Sequence, residues 1–231
     1  MLRSFWRFGF RLLYNECAFT YDLVSRAVSL GKWRCWQRSV MQFLPPPDAG
    51  PVLELAHGTG DLQIDLQKAG YRTIGLDLSR NMGPLAQRKL YRHRLRAALL
   101  RGEAARLPFE SASVAALVCS FPTSFIFDRQ STAEIRRVLK RGGLAVIVLN
   151  GLLTGNGVIE KFIGGLYRFS GQDYGAIDEE GICERFRASG LSVEAHTLPM
   201  EGSLAQIVLL KKVSAEAKAE CNESLDLARE S

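Results

Sequence analysis

Short apolar runs alternate with amphipathic stretches through the middle of the chain. Five β-strands are predicted from apolar runs at 52–55, 72–77, 97–101, 114–119 and 144–149. Helical spacing predicts helices at 61–68, 132–140 and 178–189. Residues 192–198 and 204–211 are interpreted as the closing antiparallel hairpin that is typical of such a fold. Strands that alternate with helices indicate a parallel sheet with helices on both faces. The predicted fold is therefore α/β, a Rossmann-like seven-stranded sheet that is closed by the hairpin and preceded by an N-terminal helical extension.

The first predicted strand runs directly into a glycine turn. Glu54 lies at the end of the strand, and Gly58 and Gly60 let the backbone approach a ligand, because any Cβ would clash there. The helix that begins at Asp61 presents its N-terminal amides to a polar or anionic ligand group. Asp77, seventeen residues after Gly60, ends the second strand, where a carboxylate can accept hydrogen bonds from two ribose hydroxyls. These residues predict a nucleotide-like site at the carboxyl ends of the strands.

Four sequence features resemble the cofactor motifs of class I S-adenosylmethionine-dependent methyltransferases. They are residues 54–60, Asp77, residues 103–109 and residues 139–143. Within that class the chain is most similar to the ubiquinone/menaquinone-biosynthesis C-methyltransferase type and its broader relatives, the methyltransferase type 11 group. The tyrosine-aspartate, serine-x-glycine and tryptophan-basic patterns within 21–38 resemble the segment that precedes the first strand in those quinone enzymes. The resemblance covers roughly residues 21–149.

The resemblance implies S-adenosylmethionine as the cofactor. Gly58 and Gly60 would let the backbone approach its methionine part, and Glu54 would anchor the loop or reach the amino group. Asp77 would hold the ribose hydroxyls. The other implied cofactor-binding residues are Tyr21, Ala56, His57, Leu78 over the adenine, Glu103 and Ala104 along the adenine edge, and Ser120 beneath the reacting methyl.

Methyl transfer from a sulfonium has a neutral leaving group, so alignment supplies much of the catalysis. An acceptor hydroxyl or an activated ring carbon also needs a base. His57 is the predicted catalytic residue, because it lies at the ligand end of the sheet, at a position where the quinone enzymes usually have a glycine. A loop histidine with a structural hydrogen bond is the alternative. The remaining candidates are Asp61, Tyr167, Tyr174 and His196.

The charge and the cysteine content limit the classes of partner, metal site and cellular compartment that fit this chain. The chain of 231 residues has a net charge of +6, but the excess follows no nucleic-acid pattern, and the basic residues within 88–96 predict a solvated helix face. The five cysteines have neither a CxxC pair nor metal-ligand spacing, which favours a reducing compartment and predicts no metal site. Cys119 lies in an apolar strand and is expected to be a buried small hydrophobe.

Residues 1–14 predict a basic helix with a wide aromatic face. Arg3, Arg7 and Arg11 fall on one stripe, and phenylalanine, tryptophan and leucine fill the rest of the circumference. Such a helix fits peripheral contact with an anionic membrane, or it packs on the domain as a substrate lid. An organellar import signal is a third interpretation, because no acidic residue precedes Glu16. No apolar run here approaches the ~20 residues that span a bilayer, and we expect a cytoplasmic location, peripheral at the inner membrane face.

The chain divides into three predicted parts. Residues 1–47 form the N-terminal helical lid or membrane-contact segment, residues 48–213 form the cofactor-binding domain, and residues 214–231 form a charged tail. A glycine-rich insert at 151–177 follows the fifth strand and predicts a lid or a wall of the substrate pocket.

The predicted function is methyl transfer from S-adenosylmethionine to a hydrophobic small-molecule acceptor, quinol-like or lipid-like. A membrane-associated cofactor-binding protein without catalysis is one alternative. A nicotinamide-dependent oxidoreductase is disfavoured, because the turn lacks the three-glycine dinucleotide fingerprint. Oligomeric state, pathway and the identity of the methylated atom stay open.

Overall fold

The computed structural model describes Ser25, Ala27 and residues 29–154, 179–186 and 189–212. Its helices are α1 (Trp33–Arg38), α2 (Asp61–Lys68), α3 (Met82–Arg92), α4 (Arg129–Val138) and α5 (Glu179–Phe186). Its strands are β1 (Val52–Leu55), β2 (Thr73–Asp77), β3 (Ala98–Arg101), β4 (Val114–Ser120), β5 (Leu139–Leu153), β6 (Ser192–Met200) and β7 (Ser203–Lys211). Short 3-10 helices lie at Ser39–Gln42, Pro47–Ala49 and Ser124–Phe127.

The seven strands form one sheet in the order β3-β2-β1-β4-β5-β7-β6. The first five pair in parallel, and β7 lies antiparallel between β5 and β6. The predicted fold class, a largely parallel sheet with a closing antiparallel hairpin and flanking helices, is therefore confirmed. Strand β1 lies between β2 and β4 in the sheet. The chain builds the sheet outward through β2 and β3 on one side of β1 and through β4 and β5 on the other, so its winding direction reverses at β1. Such a switch point is where open α/β sheets bind their ligands.

The central strands are apolar on both faces because helices cover both faces. On one face, Leu53 and Leu117 pack with Ile135 of α4 and Phe186 of α5. On the other face, a second cluster includes Val52, Val118, Val146, Trp36 of α1 and Leu62 of α2. Cys119 is fully buried in the first cluster, as predicted.

A bidentate ion pair holds α1 against α2. The Arg34 guanidinium donates from Nε and Nη2 to the two carboxylate oxygens of Asp65, at 2.9 and 2.8 Å. Asp65 is buried, so the pair satisfies a carboxylate that has lost most of its water.

The prediction for 132–149 is partly wrong. The helix starts earlier, at Arg129, because the Asp128 carboxylate caps it by accepting from the Gln130 and Ser131 amides. Strand pairing already begins at Leu139, and residues 140–143, between the predicted helix and the predicted strand, form a bulge within β5, with Gly142 at φ +73°. The same strand continues past 149 to residue 153, because its pairing with β7 persists to the end of the hairpin.

The solvated helix face predicted for 88–96 is also partly wrong. Helix α3 ends at Arg92, so Arg94 and Arg96 lie beyond it. Lys89 points toward α2, where its ammonium lies 2.9 Å from Asp61 and donates to the Thr59 hydroxyl at 3.1 Å. The helix predicted at 178–189 is shorter, and spans Glu179–Phe186.

Several predictions lie outside the described residues. They concern the helix at 1–14, Tyr21, Tyr167 and Tyr174, most of the insert at 151–177 and the tail at 214–231. Among the residues that are described, no helix is both long and apolar enough to cross a membrane.

Candidate cofactor and acceptor site

The glycine turn after β1 contains three left-handed residues. Ala56, Gly58 and Gly60 have φ of +54°, +53° and +85°. A Cβ added at Gly58 would meet nothing within 4 Å, whereas one added at Gly60 would lie 2.9 Å from the Ala86 Cβ of α3. The two glycines therefore differ in what they permit: Gly58 opens space above the turn, and Gly60 lets α3 pack closely below it.

Asp77 connects this turn to the end of β2. One carboxylate oxygen accepts from the Gly58 amide at 2.9 Å, and the other accepts from the Ser79 amide at 2.8 Å. Each carboxylate oxygen can accept more than one hydrogen bond, so both retain acceptor capacity. A pair of adjacent hydroxyls fits the remaining acceptors.

Glu54 lies beneath the turn and is 1% exposed. Its carboxyl oxygen accepts from Nε2 of Gln63 in α2 at 2.7 Å. Burial raises the pKa of Glu54 to about 8, with a smaller contribution from the nearby Asp77 charge, while the Gln63 hydrogen bond opposes the rise. The carboxyl is therefore largely protonated at neutral pH, and it ties β1 to the helix that follows the turn.

His57 is 4% exposed and lies on the β2 side of the turn. Its Nδ1 lies 2.9 Å from the Gly58 carbonyl oxygen, an acceptor, so Nδ1 carries the proton in this bond. A Cβ at Gly75 of β2 would lie 2.9 Å from the ring, so the imidazole occupies space that a side chain at 75 would take. Burial lowers the pKa of His57, and the Asp77 charge opposes that change.

A cavity of about 470 Å³ lies beside Asp77, between α3 and the edge strand β3. Its lining includes the apolar residues Leu99 and Pro84 and three arginines, Arg80, Arg88 and Arg101. The other lining residues are His57, Asp77, Ser79, Gly83, Gln87 and Leu100.

The loop after β3 is held on both sides. The Gly102 amide donates to the Asp77 carbonyl at 3.1 Å. Residues 103 and 104, the predicted adenine edge, therefore begin next to the end of β2 in space. Glu134 of α4 accepts from the Leu107 amide at 2.7 Å, and Arg137 donates to the Leu107 carbonyl at 2.9 Å. Leu78, the predicted adenine cover, follows the last residue of β2 and is 61% exposed.

Ser120 ends β4 on the other side of β1 from His57. Its hydroxyl accepts from Nε2 of Gln37 in α1 at 3.1 Å. The other side-chain atom of this amide, Oε1 of Gln37, is buried and has no hydrogen-bond partner among the described residues. Phe121, the next residue, has φ of +53°, a left-handed conformation that is strained for a residue with a Cβ.

Phe121 stacks on Trp33 with ring centroids 4.0 Å apart, and Trp36 approaches it edge-on at 6.1 Å. The aromatic wall, Trp33 with Phe121, therefore stands next to Ser120 and Gln37. Sequence reasoning missed Gln37 and Phe121 as site residues. The available signal was the tryptophan-rich segment before β1, whose contact with the end of β4 no local pattern predicts.

The other predicted base candidates do not gather at Ser120. Asp61 is paired with Lys89 at 2.9 Å. His196 lies on the edge strand β6, beside Phe43 and 3.6 Å from Glu194. His57 is separated from Ser120 by β1, so the role of His57 as a base stays a prediction, and its hydrogen bond to Gly58 favours the structural alternative.

Comparison with known proteins agrees with this arrangement. Residues 10–154, more than half of the chain, match the ubiE/COQ5 methyltransferase family. The ubiquinone/menaquinone biosynthesis C-methyltransferase UbiE of Geobacter sp. (strain M21) is 33% identical over 144 residues, which make up 60% of this chain and 61% of the relative. The demethylmenaquinone methyltransferase of Thermotoga maritima is 34% identical over 160 residues, 68% of this chain and 66% of that protein. The chain thus spans about three fifths of the length of the first of these curated relatives.

The fold has close counterparts among solved structures. A candidate S-adenosyl-L-methionine-dependent methyltransferase from Methanococcus maripaludis superposes with a TM-score of 0.63 at 21% identity, covering 87% of this chain and 94% of that one. The resemblance identified in the sequence is therefore confirmed. With the glycine turn and Asp77 at the switch point of this sheet, the match over residues 10–154 shows that the chain belongs to the ubiE/COQ5 methyltransferase family.

Proposed function

We propose that this protein is an S-adenosylmethionine-dependent methyltransferase that acts on a hydrophobic small-molecule acceptor, quinol-like or lipid-like. The observation that carries the proposal is the hydrogen bond from the Gly58 amide to Asp77, which joins the glycine turn to the carboxylate of the neighbouring strand. That pairing favours a ligand with a diol beside a group that lies on the turn. The acceptor class is supported by relatives whose names place them in ubiquinone and menaquinone biosynthesis.

The residues present fit the cofactor. Asp77 would accept from the two ribose hydroxyls with the capacity that the Gly58 and Ser79 amides leave open, and the space above Gly58 would take the methionine part. Glu54 would anchor the turn through Gln63. The further proposed cofactor contacts are Tyr21, Ala56, His57, Gly60, Leu78, Glu103, Ala104 and Ser120.

When bound, S-adenosylmethionine supplies an electrophilic methyl on a sulfonium, whose departing thioether is neutral. The protein then has to align the acceptor with that methyl and keep water away. The aromatic wall of Trp33 and Phe121 offers a flat apolar surface next to Ser120, suited to an aromatic or isoprenoid-bearing acceptor. The side-chain Oε1 of Gln37 would accept a hydrogen bond from a hydroxyl of the methyl acceptor, which would give this buried oxygen the partner that it lacks among the described residues.

The proposal extends to the division of the chain. Residues 1–47 would close over the acceptor or contact a membrane, residues 48–213 with the insert 151–177 would hold both substrates, and residues 214–231 would be a tail. The proposed location is cytoplasmic, peripheral at the inner face of a membrane, because a quinol-like acceptor partitions into the bilayer.

Calorimetric titration with S-adenosylhomocysteine tests the cofactor part. We expect binding to the wild-type protein, a loss of at least tenfold in affinity for Asp77→Asn, and no change for the exposed control Glu110→Gln. Tight binding of NAD with none of S-adenosylhomocysteine would overturn the proposal.

Transfer of radiolabelled methyl groups tests the acceptor part. The full chain is incubated with labelled S-adenosylmethionine and an organic extract of demethylated quinones or of total lipid, and the label is followed into the organic phase. Binding of S-adenosylhomocysteine without label in either extract would instead indicate a cofactor-binding protein without this activity.

A further inference from the structure

Positive charge is concentrated in one stretch of this chain. Residues 68–102 contain nine lysines and arginines and a single acidic residue, Asp77, which gives this stretch a net charge of +8. The whole chain carries +6, so all the residues outside the stretch sum to −2. The basic residues are Lys68, Arg72, Arg80, Arg88, Lys89, Arg92, Arg94, Arg96 and Arg101.

These charges lie on one border of the molecule. Residues 80–101, here named the basic edge, comprise the two residues before α3, α3 itself, the loop that follows it and β3, which is the edge strand of the sheet formed by the described residues. Within the described part of the chain, none of the six arginines of the basic edge forms an ion pair, and all six are exposed. Lys89 is the exception among its cations, because it is bound to Asp61.

Exposed apolar groups lie among the same arginines. Four large hydrophobic side chains are exposed in the described residues, and two of them, Tyr91 at 76% and Leu100 at 37%, belong to the basic edge. A third, Leu78, lies immediately before it, next to Asp77. A surface that combines exposed arginines with an aromatic and an aliphatic side chain matches the composition of membrane-interface segments.

Protection of the sheet edge explains only part of this pattern. Natural proteins place charges on edge strands to prevent pairing with another chain, and Arg101 fits that purpose. Arg88 and Arg92, however, lie on α3, and exposure of Tyr91 and Leu100 works against such protection.

We propose that the basic edge is a docking surface for an anionic lipid bilayer. The exposed arginines are spread over a helix, a loop and a strand, so they suit a diffuse charged plane better than a single phosphate group. Tyr91 and Leu100 would enter the headgroup region, where a polynucleotide would gain nothing from a leucine. The docked surface begins beside Asp77 and Leu78, so it would place the ligand end of the sheet near the membrane.

Vesicle co-sedimentation of the full chain tests the proposal. The vesicles contain phosphatidylcholine alone or phosphatidylcholine with about 30% phosphatidylglycerol, which gives the second set a negative surface potential. The test variant combines Arg88→Glu, Arg92→Glu and Arg96→Glu. The matched control combines Arg129→Glu, Arg141→Glu and Lys211→Glu, three exposed residues elsewhere on the domain that change the net charge equally.

We expect the wild-type protein and the control to bind the anionic vesicles and the test variant to bind roughly a hundredfold more weakly. Tyr91→Ser, which leaves the charge unchanged, should weaken binding several-fold, and circular dichroism verifies that each variant is folded. Equal binding by the test and control variants would overturn the proposal and leave membrane contact to residues 1–14. If the test variant loses binding to polyuridylate but still binds the anionic vesicles as the wild type does, the basic edge is a nucleic-acid surface, and the proposal is overturned as well.

Discussion

Replacement of Glu54 by glutamine tests whether this buried carboxyl is protonated in the folded protein. The side chain is 1% exposed, and among the described residues Gln63 is its one hydrogen-bond donor, so burial disfavours its charged form. Its pKa rises from the ordinary value of 4.5 to about 8. Glutamine has nearly the same shape, carries no charge at any pH and keeps an oxygen that can accept from Gln63.

The sign of the pH dependence follows from proton counting. Because the folded pKa lies above the unfolded one, the folded state holds a proton that the unfolded state has lost between pH 4.5 and about 8. The contribution of Glu54 to stability is therefore complete below pH 4.5 and is lost as the pH rises through 8. At about 1.36 kcal/mol for each pH unit, the interval from 4.5 to about 8 corresponds to roughly 5 kcal/mol. From pH 6.5 to 8.5 alone, the loss amounts to roughly 2 kcal/mol.

Urea unfolding at pH 6.5, 7.5 and 8.5 provides the measurement, and the quantity of interest is the difference between the two proteins. We expect wild-type stability to fall relative to Glu54→Gln by roughly 2 kcal/mol across this window. The lowered pKa of His57 destabilises the folded state as the pH falls through 6.5, but both proteins carry this histidine, so its effect cancels in the difference. The exposed control Glu110→Gln should run parallel to wild type. If the Glu54→Gln curve also runs parallel, the carboxyl is ionised in the folded protein and the reasoning is refuted.

Three further predictions concern the turn, the acceptor side and the helix contact. Gly58→Ala should lower the free energy of unfolding by only about 1 kcal/mol, because of its left-handed backbone, but should weaken S-adenosylhomocysteine binding at least tenfold. Gly60→Ala should lower the free energy of unfolding in urea by about 3 kcal/mol, because its methyl group also overlaps Ala86, and equal losses of stability in the two variants would contradict the distinction. Gln37→Leu should lower kcat/KM for the acceptor roughly tenfold with an unchanged Kd for S-adenosylhomocysteine, while a changed Kd would move Gln37 to the cofactor side. Arg34→Met should lower the free energy of unfolding by about 2 kcal/mol, because it removes the bidentate partner of the buried Asp65 carboxylate. Arg38→Met is the exposed control, and equal losses of stability in the two variants would show that the ion pair contributes nothing.

The order of elements and the ligand end of the sheet could be predicted from the sequence, because both depend on local signals. Apolar runs give the strands, and glycine and aspartate at strand ends mark the turn at Gly58 and the carboxylate at Asp77. The boundary of α4 could not be placed, because a bulge around Gly142 lets β5 begin directly after the helix. A bulge depends on the strand beside it, and its residues resemble those of an ordinary turn.

The acceptor side depends on contacts between distant segments. Gln37 and Ser120 are 83 residues apart along the chain, and they meet only because α1 packs across the sheet. Likewise, the sequence places His57 in the turn but not on a side of it, and the side decides whether its ring can serve an acceptor at Ser120. Local patterns carry no information about either arrangement, because tertiary packing sets both.

The contact between His57 and Gly75 implies that two positions far apart in sequence vary together in evolution. Two side chains fill the volume where a Cβ at 75 would stand: the imidazole of His57, 2.9 Å from that position, and Leu99 of β3, 2.7 Å from it. A homologue with histidine at 57 therefore has to retain glycine at 75, whereas one with a small residue at 57 can carry alanine there where the residue at 99 also leaves room. An alignment of the family should therefore show covariation between these columns, and transfer of His57 alone into a relative should fail unless Gly75 is transferred with it.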